Sequence, residues 1–243
     1  MFERGLAQTR SQAQALLLAG RVRVGQGDGA RLDRKPGDQV DPATVLELVE
    51  RAQYVSRGGE KLAGALDAFG VDPGGRICLD VGASTGGFTD CLLARGARRV
   101  YALDVGHGQL AESLRANPRV VSLERTHARR LDPADPEAIT LPDRPSLVVV
   151  DVSFISVTRL LGGIVSWLVP GGEIVCLVKP QFESAPRDVP KGVVRDPAVQ
   201  AAAVDRVRQG AISVGLEVRG EVPSGLLGPS GNREFFLHLA LRA

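Results

Sequence analysis

Three ionisable residues of this 243-residue chain stand at the ends of apolar runs, where open α/β sheets carry their chemistry, and a fourth lies in a glycine-rich lead-in. Asp151 closes the run Ser146-Leu-Val-Val-Val-Asp151, and Lys179 closes Glu173-Ile-Val-Cys-Leu-Val-Lys179. Glu234 opens the final run, in Gly231-Asn-Arg-Glu-Phe-Phe236. An antiparallel last strand would bring its start to the edge where the other strands end. Lys61, in Ser56-Arg-Gly-Gly-Glu-Lys-Leu62, sits in a glycine-hinged lead-in to the same region. Two lysines and two carboxylates converging at one edge suit removal of a hydroxyl proton, without which an alcohol is a poor nucleophile. A lysine serves as that base only where desolvation and a neighbouring cation lower its pKa, with carboxylates orienting the network.

The second constellation is a glycine loop. In Ile77-Cys-Leu-Asp-Val-Gly-Ala-Ser-Thr-Gly-Gly-Phe-Thr-Asp90 an apolar run passes through a turn into a helix-like segment. Strand, glycine loop and helix N-terminus together let a nucleotide-type cofactor lie against backbone N–H groups. Gly82, Gly86 and Gly87 would supply positive φ and close approach. The loop reads D-x-G-x-x-x-G-G, which fits neither a dinucleotide fingerprint nor a P-loop. About twenty residues on, Val100-Tyr-Ala-Leu-Asp104 ends in a carboxylate placed to accept hydrogen bonds from a ribose diol. The pair resembles the S-adenosyl-L-methionine site of Rossmann-like methyltransferases. The resemblance implies a cofactor site formed by Asp80, Gly82, Ser84, Gly86, Gly87, Phe88, Asp104, Val105, His127 and Asp151. Beside a methyl donor, the lysines and carboxylates would serve alkylation of an oxygen held in line with the sulfonium carbon.

Composition agrees with a soluble globular chain of one large and one small domain, with 44% hydrophobic and 24% charged residues. A net charge of +2 means that affinity for nucleic acid must come from local clusters. Three cysteines without a C-x-x-C spacing argue for a reduced, cytoplasmic protein without a disulfide frame. His107, His127 and His238 share no ligand-like spacing with them, so no metal site is expected. No signal peptide and no 18-residue apolar run are apparent, which predicts no membrane partner.

The elements that would position these residues recur in βα alternation from Arg76 onward. Strands are expected at 77–81, 100–104, 119–123, 146–151, 173–178, 216–222 and 235–241, and helices at 88–95, 108–116, 155–168 and 197–214. This is a doubly wound sheet of seven strands closed by an antiparallel edge strand. Ahead of it, Leu6–Leu18 has a helical pattern with Leu6, Ala13, Leu16 and Leu17 on one face, and Gly20 reads as its C′ stop. A strand Val22-Arg-Val24, turns around Gly25–Gly29 and Lys35–Asp38, and a closing strand Val45–Val49 follow. Residues 1–35 carry seven cationic and three acidic side chains, a net +4. Such a face suits a phosphate backbone.

That segment resembles the ribosomal protein S4-type RNA-binding domain, through Arg4-Gly-Leu-Ala-Gln-Thr-Arg-Ser-Gln-Ala13, Leu18-Ala-Gly-Arg-Val-Arg-Val24 and Lys35-Pro-Gly-Asp38. Met1-Phe-Glu stands where that module usually opens with R-L-D-x-x-L, which predicts a short first helix. The rest resembles the FtsJ/RrmJ-type RNA 2′-O-methyltransferases, through Ser56-Arg-Gly-Gly-Glu-Lys-Leu62, the glycine loop, Asp104-Val-Gly-His-Gly-Gln109, Asp151-Val-Ser-Phe-Ile-Ser156, Val-Lys179-Pro-Gln-Phe-Glu183 and Gly-Asn-Arg-Glu234-Phe. Together the two parts resemble the TlyA family, also called hemolysin A. The resemblance implies an α/β protein: a seven-stranded Rossmann-like methyltransferase domain at 61–243, a linker at 51–60 and a small α+β S4-type domain at 1–50. It implies a catalytic tetrad of Lys61, Asp151, Lys179 and Glu234, and ribosomal RNA or a ribosomal subunit as partner, with a cytidine ribose as substrate. RNA contacts would fall on Arg4, Arg10, Ser11, Arg21, Arg23, Lys35 and Arg57. His127, in Glu124-Arg-Thr-His127, replaces the Asn common in that family near the adenine. Two other readings compete: an RNA-binding assembly factor with a non-catalytic methyltransferase domain, and a hemolysin.

Overall fold

Strands buried on both faces read as continuous apolar runs, and in the computed structural model of the protein the runs form one seven-stranded sheet. The structure describes residues 1–18, 22–25, 36–48, 53–228 and 230–242, and the chain divides into two compact units, Met1–Ala52 and Gln53–Ala243.

In the larger unit, β3 (Ile77–Val81), β4 (Arg99–Leu103), β5 (Val120–Leu123), β6 (Leu147–Val150), β7 (Glu173–Val178), β8 (Leu216–Pro223) and β9 (Phe235–Leu241) pair in the order β5-β4-β3-β6-β7-β9-β8. The first five are parallel, and β9 runs antiparallel between β7 and β8. The antiparallel strand therefore lies one place inside the sheet, and β8 forms the edge. Fully buried Phe236, Leu237 and Leu239 account for that position, since β9 is covered on both faces whereas β8 alternates. The order in which strands are added reverses between β3 and β6, the topological switch point where ligands bind in open sheets.

Alternate strand residues build two cores. Leu79, Val81, Val148 and Val150 face α5 (Thr158–Trp167) and α7 (Pro197–Ser213). Cys78, Val149, Val175 and Leu177 face α2 (Arg57–Phe69) and α3 (Gly87–Ala94). Helix α2 corrects the expectation of a linker over 51–60, because residues 57–60 are its first turn. Gly59 is there for packing, whereas Gly58 has room for a Cβ. A Cβ at Gly59 would fall 2.3 Å from Tyr54 Cγ, and one at Gly58 3.5 Å from the Phe88 ring. Helix α4 is shorter than expected, Glu112–Arg115, because Gly108 turns the preceding segment with a φ of 66°.

The smaller unit pairs β1 (Val22–Val24) antiparallel with β2 (Leu46–Leu48), with Val22 and Val24 buried. Its helix α1 spans Arg10–Leu18 and begins later than Leu6, because Thr9 caps it: Gln12 N–H donates to Thr9 Oγ1 at 3.0 Å. Gly20 and the 26–35 part of the expected turns lie outside the described residues.

Candidate active site

Parallel pairing aligns the strand ends. Val81 is level with Leu103 and with Val150, Val150 with Cys176, and Val178 with Phe235. The residues just beyond those ends are Gly82, Asp104, Asp151 and Lys179, and Glu234 stands just before β9. Helix α2 brings Lys61 to the same place.

The four ionisable groups form two ion pairs. Lys61 Nζ lies 2.5 Å from Glu234 Oε2, and both side chains are buried. Lys179 Nζ lies 2.5 Å from Asp151 Oδ1 and donates to Ser153 Oγ at 3.1 Å. This second pair is the more open to solvent. Buried Glu234 Oε1 has no hydrogen-bond partner among the described residues. All four line one cleft of 260 Å³, together with Ser56, Arg57, Gly58, Gly82, Ser84, Gly87 and Phe88.

A second cleft, of 350 Å³, is lined by Gly82, Ser84, Asp104, Val105, Gln109, Thr126, His127, Asp151 and Phe154 among others. The two share Gly82, Ser84 and Asp151 as walls. This second cleft fits a nucleoside-bearing cofactor. At Gly82, φ is 91° and a Cβ would fall 2.3 Å from the carbonyl oxygen of Asp151, so only glycine leaves the wall open. Asp104 accepts the N–H of Ser84 at 2.8 Å on one oxygen and that of Gly106 at 2.6 Å on the other. Each oxygen retains a lone pair for a diol. Ser84 is itself left-handed, with φ 48°, held by that bond and by donation of its hydroxyl to Gln109 Oε1 at 3.3 Å. His127 Nδ1 accepts the N–H of Arg129 at 3.1 Å, capping a 3₁₀ turn at Ala128–Leu131 as a side-chain amide oxygen would.

Four residues expected at the cofactor stand elsewhere: Asp80, Gly86, and Gly87 and Phe88 of the other cleft. Asp80 lines neither cleft: it is fully buried and accepts from Thr89 Oγ1 at 2.7 Å. Burial pushes its carboxyl up to about 7, against the Thr89 hydrogen bond and helped by the charges of Asp151 and Asp104. Gly86 packs on Leu114, where a Cβ would fall 2.3 Å from Cδ1. Phe88 lines only the cleft with the ion pairs and stacks at 6.1 Å from Phe236. Ser153, Gln109 and Phe154 line the second cleft beyond the residues the sequence predicts there. Phe154 is the most unusual of them, 91% exposed with φ 66°. A bulky residue holds that conformation only where its surroundings force it. Here buried Glu183 accepts Ser156 Oγ–H at 2.5 Å and Val157 N–H at 2.8 Å, pinning the loop.

In the smaller unit several expected RNA contacts are already engaged. Arg4 donates to the carbonyls of Thr44 and Pro42, and Arg23 pairs with Glu47 at 3.6 Å. Arg10 and Ser11 are exposed, while Arg21 and Lys35 lie outside the described residues.

A Rossmann-like sheet whose strand ends carry a glycine-walled cleft and two lysine–carboxylate pairs has the methyltransferase fold, and the chain belongs to the FtsJ-like methyltransferase family, whose model matches residues 54–241. Among individual proteins, it is 51% identical to the 16S/23S rRNA (cytidine-2'-O)-methyltransferase TlyA of Mycobacterium tuberculosis, over 98% of this chain and 87% of that one. It is 40% identical to Hemolysin A of Brachyspira hyodysenteriae, over 98% and 96%. A solved structure of a hemolysin-named protein from Streptococcus thermophilus superposes with a TM-score of 0.76 at 41% identity, covering 99% of this chain and 86% of that one.

Proposed function

We propose that this protein transfers a methyl group from S-adenosyl-L-methionine to the ribose 2′-hydroxyl of a cytidine in ribosomal RNA. The observation that carries the reading is the meeting of two clefts at Asp151, one suited to a nucleoside cofactor and the other holding both lysine–carboxylate pairs. The names of the relatives supply the substrate class. The cofactor, when bound, supplies an electrophilic methyl group on a sulfonium. Everything else falls to the chain. Asp104 holds the cofactor ribose, and the open wall at Gly82 lets the hydroxyl oxygen approach in line.

Lys179, once it has lost its own proton to solvent, takes the hydroxyl proton on Nζ, and Asp151 at 2.5 Å stabilises the ammonium that results. Ser153 fixes the direction of that nitrogen. The buried Lys61–Glu234 pair presents a cation to the developing oxyanion without moving. Phe154 offers an aromatic face to the target base, since bases lifted from RNA stack on such side chains. An S4-type amino-terminal unit would add backbone contacts through Arg10 and Ser11, with Arg4 and Arg23 shaping the fold that presents them. Such a substrate implies work in the cytoplasm, where ribosomal subunits are assembled.

Primer-extension mapping of ribose methylation on ribosomes from a deletion strain tests this reading. At least one cytidine stop should disappear and return with the parental gene but not with Lys179→Ala. An unchanged methylation pattern contradicts it, and restoration by Lys179→Ala would favour a binding factor with no chemistry.

A further inference from the structure

Between α6 (Pro180–Glu183) and α7 the chain makes a polar excursion that the chemistry above does not use. Two buried amides hold it in one shape. Asn232 Oδ1 accepts Val194 N–H at 2.9 Å, Asn232 Nδ2 donates to Gly192 O at 2.9 Å, and Gln200 Nε2 donates to Val194 O at 2.8 Å. Lys191 is forced into a left-handed conformation with φ 55°, next to Gly192 at 79°. The acids of the segment are engaged: Asp196 caps α7 through Ala198 N–H at 2.8 Å, and Asp188 faces Arg187 at 3.9 Å. Lys191 and Arg195, which flank the pinned residues, are exposed and have no ion-pair partner among the described residues. The same holds for Arg233, which points outward between buried Asn232 and buried Glu234 of the tetrad.

We propose that Lys191, Arg195 and Arg233 form a preorganised strip that grips the phosphate backbone flanking the target nucleotide. The inference rests on the RNA methyltransferase reading and adds to it a second binding surface, on the catalytic unit itself. Buried side chains committed to fixing an exposed loop, and cations left without acids, are what a polyanion needs and what fold stability does not. Asn232 couples the loop to the strand start that carries Glu234, so a phosphate held there is registered to the site of methyl transfer.

The test uses the full chain and ribosomal subunits from the deletion strain, with Lys191→Ala/Arg195→Ala/Arg233→Ala compared with an equal-charge control, Arg98→Ala/Arg206→Ala/Arg242→Ala. Arg98, Arg206 and Arg242 are also exposed and unpaired among the described residues. Each lost phosphate contact removes ~0.9 (duplex) or ~0.7 (single strand) from the log–log salt slope of binding. The strip variant should lose about two to three units of slope and raise KM for the subunit at least tenfold, with cofactor affinity unchanged. The control should keep the parental slope. A parental slope in the strip variant, or an equal loss in the control, overturns the proposal. A surface meant for an acidic protein would give that first result. Failure of the parent to methylate either subunit would overturn the functional reading instead, so the two failures are distinguishable.

Discussion

The two ends of the sheet are built from the same residue types with opposite accounting. At the amino end, Arg76 donates to Ser146 Oγ at 3.2 Å and pairs with Glu173 at 2.5 Å, and His238 Nε2 meets Glu173 at 2.8 Å. Burial works against the charge of Glu173, but bonds from Arg76 and His238 overcome it and hold its carboxyl below the usual range. Arg99 is paired there too, with Asp143 at 2.5 Å. At the carboxyl end, Asp80 is buried with one oxygen unpartnered among the described residues, as is Glu234 Oε1, and Ser84, Arg125 and Phe154 are left-handed. One end satisfies its charges and stabilises the fold. The other keeps charge and backbone strain in reserve for a ligand.

Substitutions at the two ends should therefore fail in different ways. Lys179→Ala should lower methyl transfer by about 10²–10⁴-fold, measured in single turnover, with cofactor and RNA binding retained. Asp104→Ala should weaken the cofactor at least tenfold, since a hydrogen bond to a charged group is worth roughly 1.5–3 kcal/mol. Calorimetry showing parental affinity would remove Asp104 from the cofactor site. At the amino end, Arg76→Ala should cost about 1–3 kcal/mol of stability, a range already reduced for partial exposure, and leave kcat of the folded fraction unchanged. Without Arg76, Glu173 reverts toward an ordinary carboxyl, so less stability should be lost as pH falls from the unfolded carboxyl value through the folded one. A drop in kcat at full folding would erase the contrast between the ends.

A separate, pH-dependent effect concerns Asp80. Its folded-state pKa is raised to about 7, so the folded state binds the extra proton. The stability it contributes is full below the unfolded value, near 3.9, and is lost as pH rises to about 7. Parental stability should fall across that window by at most about 1.4 kcal/mol per pH unit. Asp80→Asn should flatten the fall. An identical pH profile in chemical denaturation would mean that Asp80 is charged in the folded state.

Legibility in the sequence follows the same divide. The strands were readable because burial on both faces leaves only apolar residues, and Asp151, Lys179 and Glu234 because each adjoins a strand end. What stayed hidden depends on non-local contacts. Gly58 and Gly59 suggest a hinge locally, yet both lie in the first turn of α2, and at Gly59 the Tyr54 side chain leaves no room for a Cβ. Nothing local told that β9 would insert between β7 and β8, or that Lys61 would pair with Glu234 and Lys179 with Asp151. Arg4 and Arg23 look free in the sequence and are bound in the structure, since their partners lie across the small unit.

The central claim is that Lys179 takes the proton, and Lys179→Arg tests it most directly. A guanidinium keeps the positive charge and the reach to Asp151 but stays protonated, so it cannot act as a base. With cofactor and ribosomal subunit both bound at parental affinity, the account predicts single-turnover methyl transfer as low as in Lys179→Ala. Turnover near the parental rate would contradict it, leaving Lys179 as an electrostatic or positioning group.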